Sequence, residues 1–343
     1  MSEPFTTVQS LGRSGLVKHI RKKTLHTNDA VITGIGDDAA VIKQDKGRVS
    51  VVSSENLVEG VDFDLTFTPL HHLGSKVITA AVSDIYAMNA QPEAILLNLS
   101  LPNRFSVEMI DQLYHGVDLA TRDYNCQVAG GDIGATAGAL VISVMAYGSA
   151  PKNKITKRHG FGKDEAICVS GDVGGALAGL NILLREKKHW QDEGAETMQP
   201  DLTAYEYVVK RQLVPLARYD LIKAFDEFSI QPSSMTDVSQ GLVSELQNLF
   251  SESEYGAYIY EAALPIHLDT RRVAEEMNDD ADRYALYGGE DYELLFTLPK
   301  EDVEKLGKNF QDFVVIGKTT DDKSAIRFQT AEGEVWKMED KKV

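Results

Sequence analysis

Gly34-Ile35-Gly36-Asp37-Asp38-Ala39-Ala40-Val41 is the stretch that decides the fold. It matches the G-x-G-x-x-A pattern of a dinucleotide site. That pattern works by laying a pyrophosphate on bare amides at the start of a helix. Here Asp37 and Asp38 put two negative charges where the pyrophosphate would lie. The residues that follow, Ala39-Ala40-Val41-Ile42, read as a strand rather than a helix. A doubly wound dinucleotide fold is therefore excluded. What remains is a glycine turn between two short strands, at 31–35 and 39–42, carrying two carboxylates.

Outward from this turn the chain mixes strands and helices. Residues 48–53 form a Val-rich strand. Apolar residues at 73, 77, 78, 81, 82, 85 and 88 predict a helix over 73–88 with an apolar stripe. A buried strand over 94–101 is closed by Pro102. Ser106 starts a helix to about 124, with Glu108 adding first-turn negative charge. Residues 140–147 are another strand. The pattern breaks over 149–163, a locally basic stretch, which predicts a domain boundary. Beyond it come strands at 165–170, 234–238, 255–261, 291–298, 313–317 and 325–330. Helices are expected after Gly171-Asp172-Val173-Gly174-Gly175 to about 184, then at 204–211, 216–228, 242–250, 270–278 and 301–309. Residues 186–202 read as an exposed, charged insertion. The expected architecture is α/β (α+β) in two domains, 1–150 and 151–343.

Composition narrows the function. A length of 343 residues suits two domains, and acids exceed bases by 17. Such a chain lacks the basic face that nucleic acid or an anionic membrane requires. It does leave carboxylates for divalent cations. Two cysteines, Cys126 and Cys168, make neither a disulfide framework nor a zinc site. The first residues lack a basic, apolar leader, and the longest apolar run, 139–146, is far short of the roughly 20 residues that span a bilayer. A soluble cytoplasmic protein is expected. Gly317-Lys318-Thr319 ends like a P-loop, but Asp312 stands where that motif requires glycine.

The chemistry lies in acids beside glycines and at strand ends. Asp38 follows the glycine turn. Ser53, Ser54 and Glu55 close the Val-rich strand. Asp132 follows Gly130-Gly131, Asp237 and Ser239 close the 234–238 strand, and Glu290 follows Gly288-Gly289. Each alone is ordinary turn chemistry. Asp84 differs, because its helical neighbours at 81, 82, 85 and 88 are apolar. A buried carboxylate needs a cation or strong hydrogen bonds. Several such acids without matching Lys or Arg point to Mg²⁺ holding a nucleotide triphosphate.

Six motifs occur in order: Gly34-Ile-Gly-Asp-Asp-Ala-Ala-Val41, Leu57-Val-Glu-Gly-Val-Asp-Phe63, Ser83-Asp-Ile-Tyr-Ala-Met-Asn-Ala90, Gly130-Gly-Asp132, Thr236-Asp-Val-Ser239 and Gly288-Gly-Glu-Asp-Tyr-Glu-Leu-Leu-Phe296. Over about 8–335 the chain resembles the thiamine-monophosphate kinases of the AIR-synthase-like ATP-binding superfamily. The resemblance implies an AIR-synthase-like fold whose N-terminal domain forms an intersubunit β-barrel in a homodimer. It implies transfer of the γ-phosphoryl of ATP to thiamine monophosphate, with several Mg²⁺ ions between the domains. The metal ligands it implies are Asp38, Ser53, Ser54, Glu55, Asp84, Asp132 and Asp237. ATP contacts would be Gly131, Asp132, Arg158 and Ser239. Substrate contacts would fall at Asp62, Glu290 and Trp336.

Four departures touch that site. Glu55 replaces the family's Asp, Asp62 its His, Ile133 a Thr, and Gln240 a metal-binding Asp. The tail, from Trp336 to Val343, lacks the family's aromatic-rich ending. Two main readings follow: a working kinase with fewer or weaker Mg²⁺ sites, or a non-catalytic or altered-specificity paralogue that keeps the fold. Fold alone does not separate them.

Overall fold

The structure, a computed structural model, describes residues 8–24, 29–194, 200–251, 253–323 and 325–338. The chain opens with helix α1 (Val8–Lys23), broken at Gly12, whose φ of 64° lies in the left-handed region. Then come β1 (Val31–Thr33), β2 (Ala40–Lys43), β3 (Arg48–Val58), α2 (Leu70–Ala87), β4 (Gln91–Pro102), α3 (Val107–Asp123), β5 (Gln127–Gly130), β6 (Ile133–Thr136) and β7 (Val141–Pro151). These strands form one sheet in the order β1-β2-β3-β7-β4-β5, with β6 also on β4. The sheet is mixed: β3 and β4 flank β7 antiparallel, while β5 and β6 run parallel to β4.

The second half begins with β8 (Ala166–Ser170) and α4 (Gly175–Glu193). Helices α5 (Glu206–Leu213) and α6 (Tyr219–Glu227) lead to β9 (Ser234–Asp237), α7 (Leu242–Phe250), β10 (Gly256–Tyr260), α8 (Leu268–Glu276) and α9 (Ala281–Tyr287). The chain closes with β11 (Leu294–Leu298), α10 (Lys300–Gly307), β12 (Phe313–Thr320), β13 (Ile326–Gln329) and β14 (Val335–Lys337). The second sheet runs β14-β13-β10-β12-β8-β11-β9.

Helix α2 organises the molecule. The sequence predicts an apolar stripe there, yet fifteen of its 18 residues are buried. One face meets β3 and β7, another meets α3, and a third meets β9 of the second sheet. Two glycines permit the α2–α3 approach. A Cβ on Gly116 would lie 1.7 Å from the His71 carbonyl oxygen, and one on Gly74 would lie 2.0 Å from that of Leu113. The apolar cluster around α2 takes in Leu221, Phe225, Met235 and Phe296 from the second half, so one core spans both sheets.

Several elements differ from expectation. Strand β3 does not end near Ser53. It pairs with β7 from Arg48↔Pro151 to Val58↔Val141, so Ser54 and Glu55 sit in mid-strand. The charged run after 184 continues α4 to Glu193 instead of forming an irregular insertion. Residues 195–199 of that expected insertion lie outside the described residues, as do 1–7 and 339–343. Strands β6 and β14 and helix α9 carry too few residues for a periodic signal and rest on neighbours. Strand β6, for instance, is held in parallel register by Leu99 to Pro102 of β4. The two rejected motifs are strands in the structure: β2 follows the glycine turn, and Gly317 to Thr319 lie within β12.

Candidate functional site

Three elements converge because α2 packs between the sheets. The turn before β2 brings Asp38, α2 brings Asp84, and the end of β9 brings Asp237. One carboxylate oxygen from each lies within 4.8 Å of the others. Ser83 Oγ donates to Asp237 Oδ2 at 2.8 Å, and Ser239 Oγ donates to Oδ1 at 3.2 Å. Thr236 Oγ1 donates to Asp38 Oδ1 at 2.9 Å. Arg158 Nη2 reaches the same oxygen at 2.5 Å, while its backbone N–H donates to Asp37 Oδ1 at 3.2 Å. Asp38 Oδ2 is buried without a hydrogen-bond partner.

The electrostatics follow from crowding. Burial pushes Asp84 and Asp237 well above the usual carboxylate range, and the neighbouring acids push further. Burial also raises Glu55, against the pull of Arg13. Glu245, on α7, is buried too and is raised to about 7. It accepts from Gln240 N at 3.2 Å and from Asn248 Nδ2 at 3.1 Å. Burial opposes the charge on Arg158, but Asp38 and Glu245 hold it protonated above its ordinary value. Such a cluster favours a proton or a metal ion. The three aspartates and their orphaned oxygen offer the hard donors that Mg²⁺ takes.

The cluster sits at the head of a groove made of three adjoining cavities. The first, about 240 Å³, holds Asp38, Ser54, Glu55, Asp84, Arg158, Asp237 and Ser239, under Arg13, Lys18 and Arg21 of α1. The second, about 200 Å³, shares Arg13, Glu55, Asp84, Asp237 and Gln240 with the first and adds Asp62 and Glu290. The third, about 520 Å³, shares Asp62 and Glu290 with the second. Its walls are Phe67, Leu177, Leu180, Leu184 and Tyr287. Asp62 spends Oδ2 on Val58 N at 2.7 Å. Glu290 has φ of 61° and accepts through Oε2 from Lys76 at 2.8 Å and Gln212 at 3.0 Å.

Not every expected residue joins the groove. Ser53 is buried with its hydroxyl on the Ala81 carbonyl at 3.0 Å, so its side chain ties β3 to α2. Gly131 and Asp132 are exposed and do not line it. Ser54, Met145, Leu96 and Gly130 form one row across β3, β7, β4 and β5. Three strand spacings put that turn about 14 Å from Ser54. Trp336 lies on β14, stacked on Phe328 at 4.3 Å with Nε1 donating to Glu261 at 2.7 Å. It too is absent from the groove's lining, because the stack commits its ring to the second sheet. The Gly171–Gly175 segment does not present a vacant helix N-terminus. Asp291, in the same strand-end segment as Glu290, accepts from Gly174 N at 2.8 Å and Ala176 N at 3.2 Å.

No motif in the sequence marks Arg13, Lys76, Gln212 or Glu245. Lys76 lies within the α2 apolar pattern, where a lysine reads as an interruption. Arg13 sits on a helix with no motif of its own, and only packing brings it over the acids.

Residues 36–150 match the AIR synthase related protein, N-terminal domain, and residues 163–328 match the AIR synthase related protein, C-terminal domain. The chain is 31% identical to the thiamine-monophosphate kinase of Bacillus subtilis (strain 168) over 291 residues, 85% of each chain. It is 32% identical to that of Aquifex aeolicus (strain VF5) over 294 residues, 86% of this chain and 88% of the relative. The solved structure of AaThiL complexed with AMPPCP and TMP superposes with a TM-score of 0.81 at 29% identity, covering 97% of this chain and 99% of that one. With this match across both halves and a groove headed by the expected aspartates, the chain belongs to the thiamine-monophosphate kinase family.

Proposed function

We propose that this protein transfers the γ-phosphoryl group of ATP to the phosphate of thiamine monophosphate, giving ADP and thiamine diphosphate. The bond from the γ-phosphorus to the β,γ-bridging oxygen breaks, and a terminal phosphate oxygen of the acceptor takes the phosphorus. The acceptor oxygen is already anionic, so no general base is required. The observation that carries this reading is the Asp38–Asp84–Asp237 cluster at the head of a groove that leads to Glu290.

Asp38, Asp84 and Asp237 hold Mg²⁺ in this reading, with Ser54 and Glu55 beside them. Bound Mg²⁺ neutralises phosphate oxygens next to the acids. Arg158 and Ser239 position the nucleotide's phosphates. Glu290 faces the cationic ring of thiamine, and the leucines of α4 supply an apolar wall. The exposed Gly131–Asp132 turn and the exposed Leu96 and Ile133 of the first sheet support a homodimer built on that sheet. Asp132 would enter the site of the assembled enzyme. We also infer two domains, 1–150 and 151–343, and a cytoplasmic setting.

The test is formation of thiamine diphosphate from ATP and thiamine monophosphate with Mg²⁺ titrated. Mg²⁺-dependent product is expected. Mg²⁺-dependent nucleotide binding with no product would overturn the kinase reading and leave the non-catalytic paralogue. Light scattering reports the assembly state.

A further inference from the structure

The groove's acids face a basic helix. Arg13, Lys18 and Arg21 of α1 line the first cavity opposite Asp38, Asp84 and Asp237. Among the described residues, Arg13 is the one Lys or Arg that also lines the second cavity. It therefore stands where the nucleotide's cavity opens toward Glu290. Its position follows from the chain: Gly12 breaks the helix, and Arg13 begins the turn that reaches inward.

The guanidinium is held in place. With its amide oxygen turned to Arg13, Gln240 lies against the guanidinium and accepts from Nη1, which leaves the other N–H groups for a ligand. The charge of Arg13 also stabilises the Glu55 carboxylate. Gln240 carries no charge, so this pairing leaves the guanidinium's charge uncancelled by its nearest partner. A planar cation fixed at the junction of two cavities suits the oxygens of a phosphoryl group in transit. Acids on one side and a guanidinium on the other give that group a metal-facing side and a side-chain-facing side.

We propose that Arg13, positioned by Gln240, contacts the γ-phosphoryl group of ATP as it passes to the acceptor. This deepens the kinase reading and rests on it for the acceptor, but it can be tested through nucleotide binding alone. Isothermal titration of the full-length chain with Mg²⁺ compares AMP-PCP, which has a γ-phosphoryl group, with ADP, which lacks one. Arg13→Ala should weaken AMP-PCP binding about tenfold and leave ADP binding unchanged, because only the γ group meets the guanidinium. Arg13→Lys, which keeps charge but not the fork, should fall between. In turnover, Arg13→Ala should lower kcat about 100-fold or more while the KM for thiamine monophosphate stays near wild type. A cover helix with no phosphoryl contact would lose both nucleotides equally or neither, and either result overturns the proposal. A wild-type protein that makes no thiamine diphosphate, yet shows the Arg13-dependent difference, would sink the acceptor assignment and keep this one.

Discussion

The Lys76 ammonium, 2% exposed, lies 2.8 Å from Glu290 Oε2 and 3.1 Å from the Gln212 carbonyl oxygen. A lysine inside α2 thereby fixes a carboxylate that sits at the junction of two cavities. The pair ties α2 to the Gly288-Gly289-Glu290 turn, so the wall of the groove is braced from the core.

Lys76→Met should loosen Glu290 and destabilise the fold together. Removing one partner of a buried pair costs about 3–5 kcal/mol, less here because Glu290 is partly open to solvent. Glu290→Gln keeps the shape and should raise the KM for thiamine monophosphate at least about tenfold, with the KM for ATP unchanged. Steady-state kinetics with each substrate varied separates the two. Equal effects on both constants would show that Glu290 does not face the acceptor.

Asp84 and Asp237 predict how pH and metal act on stability. Their carboxyls sit well above the ordinary range in the folded protein, through burial first and neighbouring acids second. The native state therefore keeps protons that the unfolded chain has released, and metal-free protein loses stability as pH rises above about 4. Saturating Mg²⁺ should remove much of that loss by replacing the protons. Asp84→Asn and Asp237→Asn should flatten the pH dependence and abolish the Mg²⁺ shift. Thermal melts from about pH 5 to about pH 8, with and without Mg²⁺, measure it. A metal-free Tm that rises with pH would contradict the burial argument.

Glu293 is a structural counterpart to these acids. Arg218 Nη1 donates to its Oε2 at 2.8 Å, Arg211 Nη1 to its Oε1 at 3.0 Å, and Ser170 Oγ to Oε2 at 2.6 Å. Glu293→Gln leaves two guanidinium groups short of a buried charge. It should destabilise by about 3–5 kcal/mol. Urea unfolding checks this, and a loss below about 1 kcal/mol would mean that water reaches the arginines.

The α2–α3 contact makes the sharpest prediction about packing. Gly116→Ala forces a Cβ against the His71 carbonyl, a backbone atom that cannot swing aside. Overpacking of this kind costs about 1–3 kcal/mol, occasionally more. Gly138→Ala, whose Cβ meets nothing within 4 Å, is the control. Comparable melts for the two variants would show that the helices part easily.

The linear sequence determined much about this protein by itself. The α2 pattern, the Ser106 cap and the exclusion of a dinucleotide fold are all local, because helix periodicity, capping and charge at a turn are set by neighbours in the chain. Ser106 Oγ does accept from Met109 N, at 3.4 Å. The order of acidic motifs pointed to Asp38, Asp84 and Asp237 before any geometry. Only the tertiary structure decided which of the expected acids meet. Ser53 stays out of the groove because α2 packs over that part of β3 and its hydroxyl is spent on the Ala81 carbonyl. Trp336 went to Phe328 because β14 adds to the far edge of the second sheet. Arg13 and Lys76 entered the groove because α2 lies between two sheets and α1 crosses above it. Lys76 meets Glu290, and Arg13 meets Gln240, across more than two hundred positions, and no local signal encodes such contacts.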